Sequence, residues 1–477
     1  MKDECQAGSG RIDGKDLWTL LAIAAIVFAA KFNTIALPFH WDELGAYISP
    51  AYWLSQAGLY RALPGLHPPE TFFGHPFALY LTLAALFKTF GAYQITAHVF
   101  ILAIATLGLW YTFLLGKLLQ GRMVGAIAAI FLFLFPMYFA QAGIVTGDIV
   151  VASLGVATVY YALRKKNLPY VVFATILLLT KESAMAIVAS IIAYLLITDP
   201  STRNWKTMAV YCAPIAPFIA FFAAQKATTG HFLPNPYFNH NSFAEFGFEE
   251  AFRNFKNVVY FGFYMQYRVV LFAAILLNFA VYRSRAFRRE HLLFLFLFAS
   301  FIGAYTFIYY IGRYILPVLP YFAIMAAASI VMLARTRAAA ALAAALIIAL
   351  FITRIHGRDD GCLSCEADLQ YTDIVKVHKE ASVFLEENYT GKRVLTNWPL
   401  YHAFTRPYLG YVDNPLEAVF FESADRTGPE DYDIIAYTPQ SIDSRAGLKE
   451  LVEREGLVFA RAFLRNGKTV EVYVRPE

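Results

Sequence analysis

Apolar positions come in long unbroken runs over the first three quarters of the chain and give way to alternation in the last quarter. A helix that crosses a bilayer needs about 20 apolar residues. The first run reaches from Leu17 to Leu37. Others cover 95–116, 123–144, 149–163, 168–180, 184–198, 207–225, 268–282, 291–311, 315–334 and 338–353. Together they predict about eleven spans. The run Pro76–Phe90 has only 15 residues, with Lys88 near its end, and reads as a helix lying at the membrane interface in the first outer loop. The first run reads as a retained helix rather than a cleaved leader, because it continues past Lys31 and is followed by Asp42-Glu43.

Beyond residue 354 the pattern changes. Asp373–Asn388 and Gly447–Glu455 read as helices, and Arg393–Thr396, Tyr432–Tyr437 and Val470–Val474 as strands. The alternation predicts a small α/β module. The expected architecture is a polytopic α-helical membrane domain over residues 1–353 and a soluble α/β domain over 354–477.

Composition supports this division. Of 477 residues, 58% are hydrophobic and 16% charged, against about 25% charged in a soluble domain. Residues 1–353 hold 25 Lys+Arg and 14 Asp+Glu, a net of +11; residues 354–477 hold 15 and 21, a net of −6. The basic excess lies between apolar runs, which excludes a nucleic-acid footprint. With the N-terminus in the cytoplasm, cytoplasmic stretches contain 16 Lys+Arg and the outer stretches before residue 354 contain 8. Counting Pro76–Phe90 as a span would turn the clusters at 164–166 and 283–289 outward, against the positive-inside rule. An odd number of spans then places the acidic tail outside the cytoplasm, with a first outer loop from Phe39 to His75. A second outer loop, Ala227 to Tyr267, carries His231, Pro234, Pro236 and many aromatics.

Of four cysteines, Cys362 and Cys365 form a CxxC at the start of the tail. Zinc would need more ligands than the nearby His356 and His378 supply. In an extracytoplasmic tail a local Cys362–Cys365 disulfide is the simpler reading.

Several polar groups stand where apolar runs end on the same predicted side. Asp42-Glu43 follows the first run, and a carboxylate pair flanked by aromatics suits a site where one group accepts a proton. His75 closes the first outer loop, and Asp148 opens the run after Val145-Thr146-Gly147. Lys181-Glu182 sits at the tip of two short runs, below the membrane surface, where a charge must be paired or used. Arg313-Tyr314 opens the run at 315–334. Lysine and arginine there suit a lipid phosphate. Asp42, Asp148 and Glu182 are also candidate ligands for Mg²⁺ or Mn²⁺.

These pieces resemble a known family. WDELGAY at 41–47, GHPFALYLTLAALFKTFG at 74–91, VTGD at 145–148, TKES at 180–183 and GRYILPVLPYF at 312–322 are similar in order and spacing to the GT-C glycosyltransferases. The resemblance is in particular to the branch of protein O-mannosyltransferases and aminoarabinose transferases (glycosyltransferase family 39 and relatives). The resemblance implies a membrane enzyme of the cell envelope in a prokaryote, transferring a sugar from a polyprenyl-phosphate donor to a protein, lipid or glycan acceptor. It matches Asp42 to the family's catalytic acidic position and Glu43 to its companion. His75 stands where aminoarabinose transferases carry a lysine.

Chemistry completes the expectation. A phosphate monoester leaves with little protonation, so the reaction needs a base on the acceptor hydroxyl and positive charge on the departing phosphate. Asp42 is the candidate base; Arg313, Lys181 and His75 are candidates for the phosphate, with Tyr314, Asp148 and Glu182 lining the substrate. One base opposite the leaving group predicts inversion. The alternative is a transporter or flippase of lipid-linked sugars, which tends to carry internal repeats and charges near the midplane.

Overall fold

The structure is a computed structural model and describes residues 12–68, 75–230, 232, 247–282, 289–308, 310–357, 364–421, 428–438 and 445–476. Cys5, His231, Pro234, Pro236 and Cys362 lie outside the described residues.

The apolar runs fold as helices. The first is α1 (Gly14–Lys31), started by a capping box in which Asp13 and Asp16 exchange side-chain and backbone hydrogen bonds. Trp18 is 73% exposed and Leu21 and Ile26 more than half exposed, as suits an apolar helix facing lipid. After a turn and a short π-helix at Glu43–Tyr47 come α2 (Ile48–Ala57), α3 (Ala78–Phe90) and α4 (Gln94–Gln120). The predicted run 123–144 is two helices, α5 (Arg122–Leu134) and α6 (Pro136–Gln141). The proline ring bars Pro136 from continuing α5, and it starts α6 instead. Next come α7 (Gly147–Leu163), α8 (Asn167–Leu178), α9 (Met185–Thr198), α10 (Trp205–Cys212) and α11 (Ile215–Thr229). Then follow α12 (Phe248–Val259), α13 (Arg268–Tyr282), α14 (Arg289–Thr306), α15 (Leu319–Ala334) and α16 (Arg337–Ile352).

The chain is an integral membrane protein. Among the described residues, three helical stretches, Gly14–Thr34, Gln94–Gln120 and Gly312–Ala334, are long and apolar enough to cross a bilayer. Two more crossings are reached if bent pairs count as one each: α10 with α11 (51°), and Phe248–Tyr264 with α13 (84°). The other apolar runs are α14, of 18 residues, and helices of 17 residues or fewer, so the eleven expected runs differ widely in reach. Helix α7 is buried along almost its whole length, packed by α4, α8 and the 3₁₀ turn Gly312–Val318.

The tail has a five-stranded sheet. Its strands are β1 (Val394–Thr396), β2 (Ala418–Phe420), β3 (Ile434–Tyr437), β4 (Val458–Arg465) and β5 (Lys468–Val474), in the order β2-β1-β3-β5-β4. Strands β2, β1 and β3 run parallel, and β5 is antiparallel to β3 and β4. The β4–β5 hairpin turns at Asn466-Gly467, both at positive φ (48° and 77°), the conformation a tight hairpin favours. Helix α17 (Tyr371–Asn388) packs on β4 and β5, α18 (Leu400–Thr405) follows β1, and α19 (Arg445–Arg454) contacts β3. Along β1, Val394 faces the large core and Leu395 the smaller cluster around Leu448 and Leu451, the period-two split of a sheet covered on both faces.

The tail is sewn to the helical body. Phe39 N donates to the Leu409 carbonyl (3.2 Å), the Tyr411 hydroxyl to the Phe39 carbonyl (2.8 Å), and Gln94 Nε2 to the Tyr408 carbonyl (3.2 Å). Their apolar side chains share one core cluster.

Candidate active site

The site lies where the turn after α1, the start of α7, the α8–α9 connection, the turn before α15 and the first tail residues meet. Trp41 takes a left-handed φ of 45°, and the π-helix begins at Glu43, a feature often found at functional positions. This turn separates the surroundings of the two carboxylates. The Glu43 side chain is 1% exposed, and its oxygens accept from His40 N and Val145 N, both at 2.6 Å, with His98 Nε2 3.4 Å away. Asp42 is 31% exposed on its side chain and meets Arg313.

Arg313 is the hub. Its Nε donates to Asp148 Oδ2 (3.1 Å), and its two terminal nitrogens pair with Asp42 and Glu366. Lys181 Nζ takes the other Asp148 oxygen at 2.6 Å and lies 4.3 Å from the centre of the Tyr314 ring. Asp148 is in the first turn of α7, where the helix dipole favours an anion. The glycine before it allows a close approach: a Cβ at Gly147 would stand 3.2 Å from the Tyr47 hydroxyl and 3.4 Å from Lys181 Cδ.

Lys181 and Glu182 are not paired with each other. Lys181 turns to Asp148, and Glu182 accepts from His75 Nδ1 at 2.9 Å. His75 stacks on Tyr47 at 6.2 Å between ring centres. Asp42, Asp148, Lys181, Arg313 and Tyr314 therefore meet directly, and His75 and Glu182 form a neighbouring pair. Asp42 and Asp148 are held by the protein's own cations. Among the described residues, no group of three or more His, Cys, Asp or Glu side chains is arranged to hold a metal ion.

Glu366 is the member that sequence reasoning missed. It follows Cys365, which is disulfide-bonded; Cys362, the expected partner, lies outside the described residues. The segment around Glu366 is fastened at three points. His40 Nε2 meets the Ser364 carbonyl (2.7 Å), Gln141 Nε2 the Glu366 carbonyl (3.1 Å), and Gln266 Nε2 the Ala367 carbonyl (2.8 Å). Burial holds the His40 imidazole down at about 4, so it is neutral and donates Nε2–H to that carbonyl. Burial pushes the Glu366 carboxyl up to about 7, against the pull of Arg313 and with that of Asp42. Its Oε1 is buried with no hydrogen-bond partner.

Two cavities flank the cluster. One, of about 280 Å³, is lined by His75, Lys181, Glu182 and Tyr314, then by Met185, Ala186, Phe301, Ala304, Tyr305 and Ile308. The other, of about 580 Å³, is lined by Asp42, residues of α2, and the tail between Trp398 and Tyr408. The chain Lys181–Asp148–Arg313–Asp42 runs from one to the other.

The fold, with its apolar helical body and small sheet, is ArnT-like. No family model and no curated protein matches the chain. Among solved structures it is similar to ArnT from Cupriavidus metallidurans, at 14% identity, covering 97% of this chain and 99% of that one. The TM-score is 0.57 for the apo state and 0.53 for the state bound to undecaprenyl phosphate. At that identity the likeness concerns the fold.

Proposed function

We propose that the protein is a membrane glycosyltransferase that moves a sugar from a polyprenyl phosphate to an acceptor hydroxyl. It works at the extracytoplasmic face of a prokaryotic cell membrane, with the N-terminus in the cytoplasm. The observation that carries this reading is the ion chain joining two cavities of different character. The smaller cavity combines Lys181 and His75 with apolar side chains, a lining that fits a phosphate with a prenyl tail. The larger opens on Asp42. The bound undecaprenyl phosphate of the ArnT structure supports a lipid of this class.

The geometry suggests an order of events. As the structure stands, Asp42 is tied to Arg313. A phosphate arriving at Lys181 competes for the guanidinium and frees Asp42. The acceptor O–H then gives its proton to the Asp42 carboxylate while its oxygen bonds to the anomeric carbon. The bond from that carbon to the phosphate oxygen breaks with its electron pair, and Arg313 and Lys181 stabilise the departing phosphate. Attack opposite the leaving group inverts the anomeric carbon. Glu43, with both oxygens accepting backbone N–H groups, holds the Asp42 turn and is a positioning residue in this scheme.

The test is transfer by Asp42→Asn in membranes supplied with donor lipid. Transfer is expected to fall by about 10²–10⁴-fold, the range for a lost general base, with undecaprenyl phosphate still bound. Transfer at the wild-type rate would remove Asp42 as the base. Movement of intact lipid without release of sugar would favour a flippase.

A further inference from the structure

The larger cavity is lined by Asp42 but by neither Lys181 nor His75. We propose that it is the acceptor site and that it takes the pyranose ring of a carbohydrate, with one ring hydroxyl turned to Asp42. The proposal rests on the transferase reading above.

The walls decide the class of ligand. One is α2, with Ser49, Tyr52, Trp53 and Gln56; the other is the tail, with Trp398, His402, Arg406 and Tyr408. None of these residues lies in a strand, so an extended peptide meets no sheet edge on which to pair its backbone. The cavity offers aromatic surface bordered by polar groups instead. The Trp398 indole stands edge-on to Trp41 (6.4 Å, 85°) and to His402 (4.9 Å, 75°). Tyr52 and Tyr408 stack at 4.0 Å. Flat rings of this kind match the C–H face of a sugar, while polar side chains around them bind its hydroxyls.

The polar groups are held in place. Ser49 Oγ accepts from Arg406 Nη1 (2.7 Å) and from the Tyr408 hydroxyl (3.1 Å). Arg406 has no carboxylate partner among the described residues, which leaves its guanidinium directed to neutral oxygens. Burial, with Arg406 adding to it, holds the His402 imidazole down at about 3, so it stays a neutral hydrogen-bonding group. Gly45 sets the approach of the ring: a Cβ there would stand 3.0 Å from Trp398 Cη2. The volume of about 580 Å³ falls within the usual range for a small-molecule site, roughly 300–1,000 Å³. Because Asp42 lines this cavity and Lys181 the other, an acceptor here would reach the anomeric carbon from the side away from the phosphate.

Saturation-transfer NMR on the full-length protein in detergent reads this binding without turnover. The probes are N-acetylglucosamine, its β-1,4-linked dimer, methyl α-mannoside and a serine-containing hexapeptide. Undecaprenyl phosphate binding is followed in the same preparation by native mass spectrometry. Ring protons of at least one sugar should be saturated by the wild-type protein. Trp398→Leu should weaken that binding about tenfold, the loss of one aromatic stacking contact. Gln56→Trp, at an exposed position on the cavity wall, should block it without touching the core, and both variants should keep undecaprenyl phosphate. The proposal is overturned if no sugar is saturated, if only the peptide is, or if both variants bind sugar as the wild type does. Sugar binding through Trp398 in a wild-type protein that does not bind undecaprenyl phosphate would overturn the transferase reading and, with it, the acceptor role.

Discussion

Two clusters of opposite charges stand at the two ends of α1, and they are built differently. At the N-terminal end Asp13 and Asp16 face Lys117 and Arg122, two acids against two bases, with ion-pair distances of 2.7–3.3 Å. Asp13 and Arg122 remain 52% and 40% exposed there. At the other end two cations, Arg313 and Lys181, face three carboxylates, Asp42, Asp148 and Glu366. All but Asp42 are 5% exposed or less. The first cluster is balanced and partly wet; it caps α1 and ties it to α4 and α5. The second carries a surplus carboxylate where charge is hard to solvate, beside two cavities. A buried surplus is not a means of stability. It suits a place where a proton or a ligand completes the set.

Removing the hub should break that cluster most severely. Arg313→Gln leaves three carboxylates around one lysine. Stripping one partner from a buried ionic set costs about 3–5 kcal/mol. The variant should melt well below the wild type in detergent, and transfer should be lost. A variant that melts as the wild type does would show that these carboxylates do not depend on Arg313.

A milder change tests the surplus itself. The Glu366 carboxyl is raised from 4.5 to about 7 by burial, so between those values the folded protein binds a proton that the unfolded chain releases. This group's contribution to stability is therefore fully present below about 4.5 and is lost as pH rises to about 7. Glu366→Gln should remove that slope from a plot of melting temperature against pH. At pH 8, where Glu366 is ionised, the variant should bind undecaprenyl phosphate more tightly, by about fivefold for one fewer nearby negative charge. At pH 6, where the wild-type carboxyl is mostly protonated, the two affinities should converge. Equal affinities at pH 8 would mean that Glu366 does not face the phosphate.

The contrast between the clusters also explains what could be read in advance. Asp42, Asp148, Lys181 and Arg313 each stand where an apolar run ends, and the positive-inside argument sends all four to one side. In the structure they touch. Glu366 gives no such signal. It sits outside any apolar run, beside a CxxC that reads as a local disulfide, and reaches Arg313 across 53 residues. The aromatic wall from Trp398 to Tyr408 was hidden in the same way, because its register against α2 is set by tertiary contacts such as Phe39 with Leu409. The different surroundings of Asp42 and Glu43 depend on backbone geometry at Trp41 and the π-helix, which adjacency in sequence does not reveal. In the tail, α17, α19, β1, β3 and β5 fall where periodicity expects them. Strand β2 has only three residues, and β4 is an edge strand with Arg461 and Arg465, a composition that protects an edge but disguises a strand.

The smallest effect is expected at the balanced cluster. Arg122→Gln takes one base from a set whose other base, Lys117, still reaches Asp16 at 2.7 Å and whose capping box is made by Asp13 and Asp16 alone. Arg122 is 40% exposed and the buried Asp16 keeps Lys117 as its partner, so the melting temperature should move by no more than about 2 °C. Sugar transfer and undecaprenyl phosphate affinity should be unchanged at pH 6 and pH 8, because the set lies at the far end of an 18-residue helix, about 27 Å away at 1.5 Å per residue. A loss of transfer in Arg122→Gln would mean that the two ends of α1 are coupled. The surplus charge at Arg313 could then no longer be treated as a property of one site, and the contrast between the clusters would have to be rebuilt around motion of α1 itself.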